Sequence, residues 1–268
     1  MESTTPRAIV RYGRDGSSLT VETGSDLLMT ESPVEFRLAD VPIAVLMRTP
    51  GEDEALGLGF AITEGIVLGP GEVDTVTAVP GSDQGDRWQI RLAPGVQVDP
   101  EQFRRNLYTS SSCGVCGKAS IDAVRVAVPE LPTGPSLGPE LLLGLPDAMY
   151  AAQTGFRRTG GLHAAALFSP DGELEVLAED VGRHNAVDKV VGHAARFQWP
   201  IGESILLVSG RVSFEMVQKA GVAGIPVVCG VSAASSLAAE LGDELGMTVI
   251  GFLRPGGFNV YAGDHRLV

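Results

Sequence analysis

Cysteine and histidine are scarce in this sequence, and their scarcity excludes several kinds of site. The 268 residues include three cysteines and four histidines. Three cysteines are too few, and odd in number, for a disulfide scaffold, and they are typical of a reducing compartment where thiols stay free. A structural zinc site normally needs four ligands, and the sequence has no second Cys-x-x-Cys pair to complete one.

Basic residues are also in short supply. The chain has 20 lysines and arginines against 33 aspartates and glutamates, which gives a net charge of −13. Non-specific binding to nucleic acid depends on clustered lysines and arginines that displace counterions from the phosphate backbone. The charge balance therefore excludes nucleic acid and anionic lipid as general partners.

No segment has the pattern of a signal peptide or a membrane span. The polar segment Met1–Arg14 lacks the apolar stretch of a signal peptide. Residues 220–239 form an uncharged run of 20 residues, which is long enough to cross a bilayer. However, Pro226 and several glycines divide this run into strand, turn and helix. We expect a cytoplasmic protein that does not bind membranes.

The order of predicted elements indicates an α/β protein. Strand-like runs dominate the first half, whereas apolar strands alternate with helical patterns in the second half, as in a sheet with parallel crossovers. Proline and glycine cluster at 129–139 and predict a domain boundary. We predict a larger C-terminal α/β domain with a mixed sheet and a smaller β-rich N-terminal domain. The predicted parts are 1–107 with 119–128 (N-terminal domain), 108–118 (mobile Cys-x-x-Cys loop), 129–138 (linker) and 139–268 (C-terminal domain).

The sheet predicted for the second half places three turns at one edge. Ligands of such sheets bind at the carboxyl ends of the strands. Turns with Gly or Ser follow predicted strands at 209–211, 230–232 and 254–257, so we expect a ligand site there. The predicted strands are 34–38, 41–47, 73–79, 87–92, 164–168, 174–177, 205–208, 226–229 and 248–253, and the predicted helices are 52–66, 100–107, 185–197, 214–220 and 234–245.

The sharpest local motif is the pair Cys113 and Cys116, which lies in a loop rich in Ser and Gly. At this spacing two sulfurs can form a disulfide or bind the same metal. One thiol can also lower the pKa of the other. A zinc site would need further ligands that the sequence does not supply near this pair. In thioredoxin-like proteins the pair normally lies at the start of a helix after a strand, whereas here it lies in a loop. A nucleophilic or sulfur-carrying cysteine fits the composition best, and a pair of incidental loop thiols is the alternative.

A second motif places six ionisable side chains within the eleven residues Glu179–Lys189, at a strand-to-helix turn. Arg183 can grip a phosphate or carboxylate through two parallel hydrogen bonds. His184 titrates near neutral pH and can move protons. The alternative is structural, with Asp180 or Asn185 capping the helix and Arg183 in a surface ion pair. The residues alone do not decide between the two.

Two further residues have a structural and a functional interpretation. His163 follows a glycine pair at a strand entrance and is either a hydrogen-bonded core histidine or part of a ligand site. Cys229 lies in an apolar strand, where a free cysteine usually behaves as a small buried hydrophobe. We therefore expect Cys229 to be structural and leave both interpretations of His163 open.

The end of the last predicted strand carries a weak nucleotide signature. In Gly251–Tyr261, Phe252 and Phe258 offer aromatic faces, Arg254 offers a phosphate contact, and the glycines offer exposed amides. Arg211 occupies a similar turn after an earlier strand. The sequence has no Walker loop, and no Gly-x-Gly-x-x-Gly motif follows a strand. These turns alone therefore do not establish a nucleotide site.

Taken together and in this order, the motifs resemble the formate dehydrogenase accessory sulfurtransferase family, FdhD. The resemblance is strongest at the Cys-Gly-x-Cys-Gly loop and at the Arg-His-Asn-Ala-Val-Asp-Lys stretch. It is weaker in the first hundred residues. The matching segments are 112–118, 159–165, 179–189, 209–220, 223–228 and 251–261, with weaker matches at 35–47 and 54–65.

The resemblance implies a specific task. Members of the family take persulfide sulfur from a cysteine desulfurase and pass it to the molybdenum or tungsten of the bis-molybdopterin guanine dinucleotide cofactor. This happens before the cofactor enters formate dehydrogenase. By the same resemblance, Cys113 carries the persulfide and Cys116 assists or is dispensable. Members are typically homodimers, with a C-terminal domain that resembles the cytidine deaminase fold.

The resemblance also implies where the cofactor binds. GDP, as a fragment of the guanine dinucleotide, is expected to occupy part of the same site. The ligand is a large polyanion, so an acidic protein must concentrate its cations locally. The expected cofactor-binding residues are Phe252, Leu253, Arg254, Pro255, Gly256 and Gly257, to which we add Arg183, His184 and Arg211 at neighbouring turns.

Two other functions are kept as alternatives. A zinc-dependent nucleobase deaminase, suggested by the implied fold, needs His-x-Glu followed by Pro-Cys-x-x-Cys. Here Ala165 stands two residues after His163, and the cysteine pair precedes the histidine, so this function is disfavoured. The second alternative is a non-catalytic chaperone that holds apo-formate dehydrogenase or its cofactor. A chaperone of this kind would not need Cys113.

Overall fold

A computed structural model describes residues 4–81, 87–103 and 128–268. Within these ranges it contains twelve strands and six α-helices, arranged in three sheets. The predicted loop 108–118, with Cys113 and Cys116, lies outside the described residues. The strands are β1 Thr4–Asp15, β2 Ser18–Met29, β3 Ser32–Leu38, β4 Val41–Arg48, β5 Val73–Ala78, β6 Arg87–Leu92, β7 His163–Phe168, β8 Leu174–Asp180, β9 Ile205–Val208, β10 Val227–Gly230, β11 Thr248–Arg254 and β12 Gly257–Ala262. The helices are α1 Asp53–Thr63, α2 Pro139–Ala152, α3 Thr154–Thr159, α4 Arg183–Ala194, α5 Phe214–Val222 and α6 Ser236–Leu245.

The first half forms a hairpin and a four-stranded sheet. The hairpin consists of β1 and β2, and the sheet has the strand order β4-β3-β6-β5. The predicted pair of strands around Ala39 and Asp40 is confirmed, since β3 and β4 pair antiparallel across these two residues. Both turn residues have left-handed backbones, with φ of 46° and 64°. A two-residue turn of this kind matches the twist of the flanking strands.

The second half forms a six-stranded mixed sheet with the order β12-β11-β10-β9-β7-β8. Strands β9, β10 and β11 are parallel, and β7, β8 and β12 run antiparallel to their neighbours. Helices α5 and α6 connect the parallel strands, as the alternating pattern predicts. The fold class, an α/β protein with a mixed sheet, is confirmed. The likeness to cytidine deaminases stays a prediction.

Both faces of the six-stranded sheet are covered. Along β9, Leu206 and Val208 join the apolar cluster that contains residues of α4, α5 and α6. Ile205 and Leu207 point the other way, into the cluster that contains Leu142 and other residues of α2. Because side chains alternate along a strand, a strand buried on both faces is apolar throughout. This explains the unbroken Ile-Leu-Leu-Val sequence of β9.

The two halves share one apolar core. A single cluster of buried side chains includes Phe36 and Leu56 from the first half and Val187 and Val190 from the second. Helices α1 and α4 bring these residues together. The predicted domain boundaries, 1–107 with 119–128, 129–138 and 139–268, stay a prediction.

Several elements were not anticipated from the sequence. These are the long hairpin of β1 and β2, helices α2 and α3 and the last strand β12. The short helix predicted at 100–107 is a 3-10 turn at Pro100–Gln102, and residues 104–107 lie outside the described residues. The uncharged run 220–239 passes through the end of α5, all of β10 and the start of α6, as the proline and glycines indicate. Within the described ranges, no helix is both long and apolar enough to cross a membrane.

Candidate functional site

A cavity of about 710 Å³ opens at the edge of the six-stranded sheet where β8, β9, β10 and β11 end and β7 begins. This size lies within the usual range of small-molecule sites, which runs from about 300 to 1,000 Å³. The site is at the carboxyl edge predicted from the three turns. Its walls are formed by Pro146, Asp147, Met149, Tyr150, Gln153, Phe156, Gly160, Gly161, Leu162, His163, Val181, Ser209, Val231, Leu253, Arg254 and Pro255.

One wall of the cavity is aromatic and comes from α2 and α3. The rings of Tyr150 and Phe156 meet edge to face, with their centroids 6.4 Å apart. Gly160 follows α3 with a left-handed backbone, φ 67°, and ends that helix. The chain can therefore turn at once into β7, and a Cβ atom at Gly160 would meet nothing within 4 Å, so the cavity wall is open there. Such a wall suits a flat ring placed against aromatic faces.

The opposite wall comes from the hairpin of β11 and β12. Arg254 and Pro255 line the cavity at the point where this hairpin turns. Just before them, Phe252 has a left-handed backbone with φ 54°, and its side chain is 40% exposed. Its amide donates to the Ser232 carbonyl at 2.9 Å, which holds β11 against the loop after β10. A bulky residue with positive φ is strained, and such strain is common at ligand sites.

His163 stands at the entrance of β7 and lines the cavity. Burial lowers the pKa of its imidazole, and the nearby charges of Arg183 and His184 lower it further, while Asp180 acts in the opposite direction. The neighbouring Ser209 accepts a hydrogen bond from the Ala164 amide at 2.9 Å, and so ties β7 to the end of β9. His163 is therefore a neutral imidazole near pH 7, on a wall that also has a guanidinium group.

We expect the pKa of His163 to rise when Arg183 is replaced by glutamine. The substitution removes a positive charge that disfavours the imidazolium. The pKa can be followed by NMR titration of the imidazole resonances. Arg211→Gln is the matched control, because Arg211 is exposed and makes no assigned contribution to this pKa. An unchanged or lower pKa in the Arg183 variant would contradict the arrangement described here.

The turn between β8 and α4 is held by Asp180, whose side chain is fully buried. One carboxylate oxygen accepts from the Gly182 amide at 2.8 Å and from Nδ2 of Asn185 at 2.9 Å. The other oxygen lies 2.9 Å from Nζ of Lys189 and accepts from the Thr49 amide at 3.1 Å. Asp180 thus accepts hydrogen bonds from the backbone and side chain of the turn and pairs with a buried lysine. This supports the structural interpretation of this part of the motif.

Asp188 belongs to a second buried network. Its Oδ1 accepts from Oγ1 of Thr63 at 2.6 Å and lies 2.8 Å from Nζ of Lys219. Lys219 also reaches Glu64 at 2.9 Å. Burial alone lowers the pKa of Lys219, but the two carboxylates more than offset it and raise that pKa above the usual value. The network joins α1, α4 and α5.

The two residues of the motif that remain near the cavity are Arg183 and His184. Nε2 of His184 lies 2.7 Å from a carboxylate oxygen of Glu215, and both side chains are mostly buried. Burial raises the pKa of Glu215, but the hydrogen bond and charge of His184 together with the charges of Lys219 and Arg183 outweigh it, so the resulting pKa is lower than usual. Neither Arg183 nor His184 forms part of the cavity wall, although both act on His163 electrostatically.

The structure brings only some of the predicted site residues together. Leu253, Arg254 and Pro255 line the cavity. Phe252 lies in β11, Gly257 in β12, Gly256 in the turn between them and Arg211 after β9, and all four are outside its walls. Cys113 and Cys116 lie outside the described residues, so their assignment stays a prediction. Cys229 is fully buried, and burial raises its pKa to about 12, which confirms the expected structural role.

The wall residues from α2 and α3 were not identified from the sequence. They include Tyr150, Gln153 and Phe156. The available signal was the leucine-rich segment after Gly138, which begins with Pro139 at the first helical position. The proline cluster before it predicts a linker at 129–138, and no helix is predicted for the segment that follows.

Fold and cavity define the class of this protein. It is an α/β protein with a ligand cavity at the carboxyl edge of a mixed sheet, lined by aromatic rings, glycines, a neutral histidine and an arginine. The model of the FdhD/NarQ family matches residues 29–268, which is most of the chain. The chain therefore belongs to the FdhD/NarQ family.

Individual relatives agree with this membership. A protein of Streptomyces avermitilis named sulfur carrier protein FdhD is 50% identical, over 97% of this chain and 94% of the relative. One of the same name from Mycobacterium tuberculosis is 46% identical, over 96% and 97% of the two chains. A crystal structure of a candidate formate dehydrogenase accessory protein from Desulfotalea psychrophila has a TM-score of 0.79 at 22% identity and covers both chains fully. At that identity the similarity shows the fold alone.

Proposed function

We propose that this protein is a sulfur carrier for formate dehydrogenase. It takes persulfide sulfur from a cysteine desulfurase and delivers it to the molybdenum or tungsten of the bis-molybdopterin guanine dinucleotide cofactor. The observation that carries the proposal is family membership over residues 29–268, together with relatives at 46–50% identity that are named sulfur carriers. Cysteine desulfurase and formate dehydrogenase are the proposed partners, and the protein acts as a cytoplasmic homodimer.

Cys113 is the proposed carrier residue. Its thiolate attacks the terminal sulfur of the desulfurase persulfide, so that one sulfur–sulfur bond forms and another breaks. The desulfurase cysteine leaves as a thiolate, and Cys113 becomes the persulfide. Cys229 is unsuited to this role because it is fully buried and its pKa is raised to about 12, which keeps it a thiol near neutral pH.

The cavity supports the part of the proposal that concerns binding of the cofactor. The cofactor is here a substrate of the transfer, and its guanine nucleotide ends are planar rings joined to phosphates. The aromatic edge of Tyr150 and Phe156 suits the ring, and Arg254 suits a phosphate. A volume of about 710 Å³ accommodates one nucleotide end rather than the whole cofactor. GDP is therefore the simplest probe of this site.

Sulfur loading tests the carrier role. After incubation with a cysteine desulfurase and cysteine, the intact mass of the wild-type protein should increase by one sulfur atom. Cys113→Ala should abolish the gain because it removes the accepting thiolate. Cys229→Ala is the matched control and should keep the gain, since that thiol is buried in β10. An undiminished gain in Cys113→Ala would overturn the assignment.

Complementation separates the carrier from a chaperone. In a cell that lacks its own accessory protein, the wild-type chain should restore formate dehydrogenase activity and Cys113→Ser should not. Restoration by the serine variant would favour the chaperone, which needs no thiol. Stoichiometric zinc in the purified protein would instead support the deaminase alternative.

GDP binding tests the cavity. We expect calorimetry to detect GDP binding to the wild-type protein, and Arg254→Ala to weaken it by about ten- to hundredfold. This range corresponds to the roughly 1.5–3 kcal/mol of a hydrogen bond to a charged group. Arg196→Ala is the control, because Arg196 pairs with Glu54 away from the cavity. Equal affinity in the Arg254 and Arg196 variants would contradict the site.

A further inference from the structure

The N-terminal hairpin is a long ribbon that is exposed to solvent for most of its length. Its two strands pair from Thr4 opposite Met29 to Asp15 opposite Ser18. At about 3.3 Å per residue, twelve-residue strands extend for roughly 40 Å. Among the described residues, the hairpin is tied to the body at its base, where Nη2 of Arg158 donates to Oγ1 of Thr4 at 3.3 Å. An isolated two-stranded hairpin is at best marginally stable in water, so this ribbon needs a further contact surface.

The two faces of the hairpin differ in chemistry. Residues directly opposite each other in an antiparallel pair share one face. One face, which we call the apolar arm face, carries Pro6/Leu27, Ala8/Ser25, Val10/Thr23, Tyr12/Val21 and Arg14/Leu19. The other face carries Arg7 opposite Asp26 and Arg11 opposite Glu22, which are cross-strand pairs of opposite charge. The cross-strand pairs of opposite charge thus lie on one face only, which also carries Ile9 and Leu28, while the apolar arm face has no such pair.

The apolar arm face is open over its outer half. Tyr12 and Leu19 are 67% and 68% exposed, and Val10 and Val21 are 55% and 56% exposed. Exposed apolar side chains that stand singly are ordinary, but a contiguous strip on a projecting element marks an interaction surface. These four side chains lie near the tip of the hairpin, far from the base that contacts α3.

Charge points to the kind of partner. Residues 4–29 contain three arginines and three acidic residues, so the arm is neutral, whereas the whole chain has a net charge of −13. Two copies of so acidic a protein repel each other over most of their surfaces. The neutral arm is a surface that a second copy can approach without this repulsion, and its central residues on the apolar face are uncharged.

We propose that the apolar arm face is the contact between two copies of this chain, packed face to face about a two-fold axis. A face of roughly 40 by 10 Å buries about 400 Å² per copy and about 800 Å² in total. Stable interfaces usually bury about 1,200–2,000 Å², so the dimer should be weak and should depend on concentration. This inference rests on the homodimer proposed above, and it is independent of sulfur transfer.

Sedimentation velocity over a dilution series tests the proposal. The wild-type protein should shift from dimer to monomer as it is diluted. In the double variant Val10→Thr and Tyr12→Thr, the dimer should dissociate at a concentration at least tenfold higher. Threonine keeps the strand propensity of the hairpin while it removes apolar area. The matched control is Arg11→Thr with Glu22→Thr, which alters the opposite face at unchanged net charge and should behave as wild type.

Each outcome decides a specific point. Equal thermal unfolding and equal sulfur loading in all three proteins show that the substitutions leave the fold and the carrier step intact. A dimer that both variants retain equally would overturn the arm as the contact, although the homodimer itself would stand. A wild-type protein that is monomeric at every concentration would overturn the homodimer and the arm contact together, and would mean that a different partner covers this face. Loss of sulfur loading in wild type would affect only the proposed function.

Discussion

Replacement of Gly192 by alanine is expected to destabilise the protein by about 3 kcal/mol or more, at the upper end of the cost of overpacking a core. A Cβ atom at Gly192 would lie 1.9 Å from the carbonyl oxygen of Ala55. The contact is reciprocal, because a Cβ at Gly59 would lie 1.7 Å from the carbonyl oxygen of Asp188. Since both clashing atoms belong to helix backbones, α1 and α4 can accommodate a methyl group only by moving apart.

Such a movement would disturb more than one contact. Helices α1 and α4 join the two halves of the core, and the hydrogen bond from Thr63 to Asp188 crosses the same interface at 2.6 Å. Separation of the helices therefore weakens apolar packing and a buried polar network together. This is why we expect a larger cost than the propensity gain that alanine usually brings to a helix.

The matched control is Gly144→Ala in α2. This glycine is exposed, and a Cβ there meets nothing within 4 Å. Alanine at such a helix position should stabilise the protein by about 0.5–1 kcal/mol. Urea unfolding followed by circular dichroism measures both variants. A Gly192→Ala protein as stable as wild type would show that the helices are not in the close contact described here.

Much of the fold follows from local pattern. The turn at Ala39 and Asp40, the strand at 87–92 and the strand at 205–208 were each predicted from short-range composition, and all three are present. The repeated alternation of strand and helix predicts the crossover part of the sheet, because parallel strands need such connections. These features depend on residues close together in the chain, so one sequence is enough to predict them.

The hairpin of β1 and β2 and the helix α2 are different. The hairpin mixes Arg, Thr, Gly and acidic residues, and neither of its faces is buried against the rest of the described residues, so its strands lack the apolar runs that mark a buried strand. Helix α2 contains Pro146 and Gly144, which are poor helix residues. Its helical state depends on burial of Leu142, Leu145 and Met149 against the sheet, which is a tertiary effect that the sequence does not display.

The charged turn shows why a motif does not assign a role to each residue. Glu179–Lys189 was open to a functional and a structural interpretation. In the structure, Asp180, Asp188 and Lys189 are buried and bonded within the fold, while Arg183 and His184 remain beside the cavity. The partners that decide this, Thr49 and Lys219, are distant in sequence. Spacing within the motif therefore could not separate the structural residues from those near the ligand.

Lys189→Met is expected to cost about 3–5 kcal/mol, because it removes one partner of a fully buried ion pair. Nζ of Lys189 lies 2.9 Å from Asp180, and both side chains are at most 1% exposed. The substitution leaves the Asp180 carboxylate without its counter-charge in a dry environment, although the amides of Gly182 and Thr49 still donate to it. Methionine keeps most of the length and volume of the lysine stem, so lost packing contributes little.

An exposed ion pair beside the same helix provides the control. Arg196 lies 2.8 Å from Glu54, with side chains 34% and 56% exposed, and Arg196→Met should cost less than about 1 kcal/mol. Thermal and urea unfolding measure both variants.

The double variant Lys189→Met with Asp180→Asn should recover part of the lost stability, because it removes the unpaired charge while an oxygen remains to accept from the turn. If Lys189→Met cost no more than Arg196→Met, the buried pair would contribute nothing beyond a surface pair. The turn that carries Arg183 and His184 would then depend on the hydrogen bonds that Asp180 accepts from Gly182, Asn185 and Thr49.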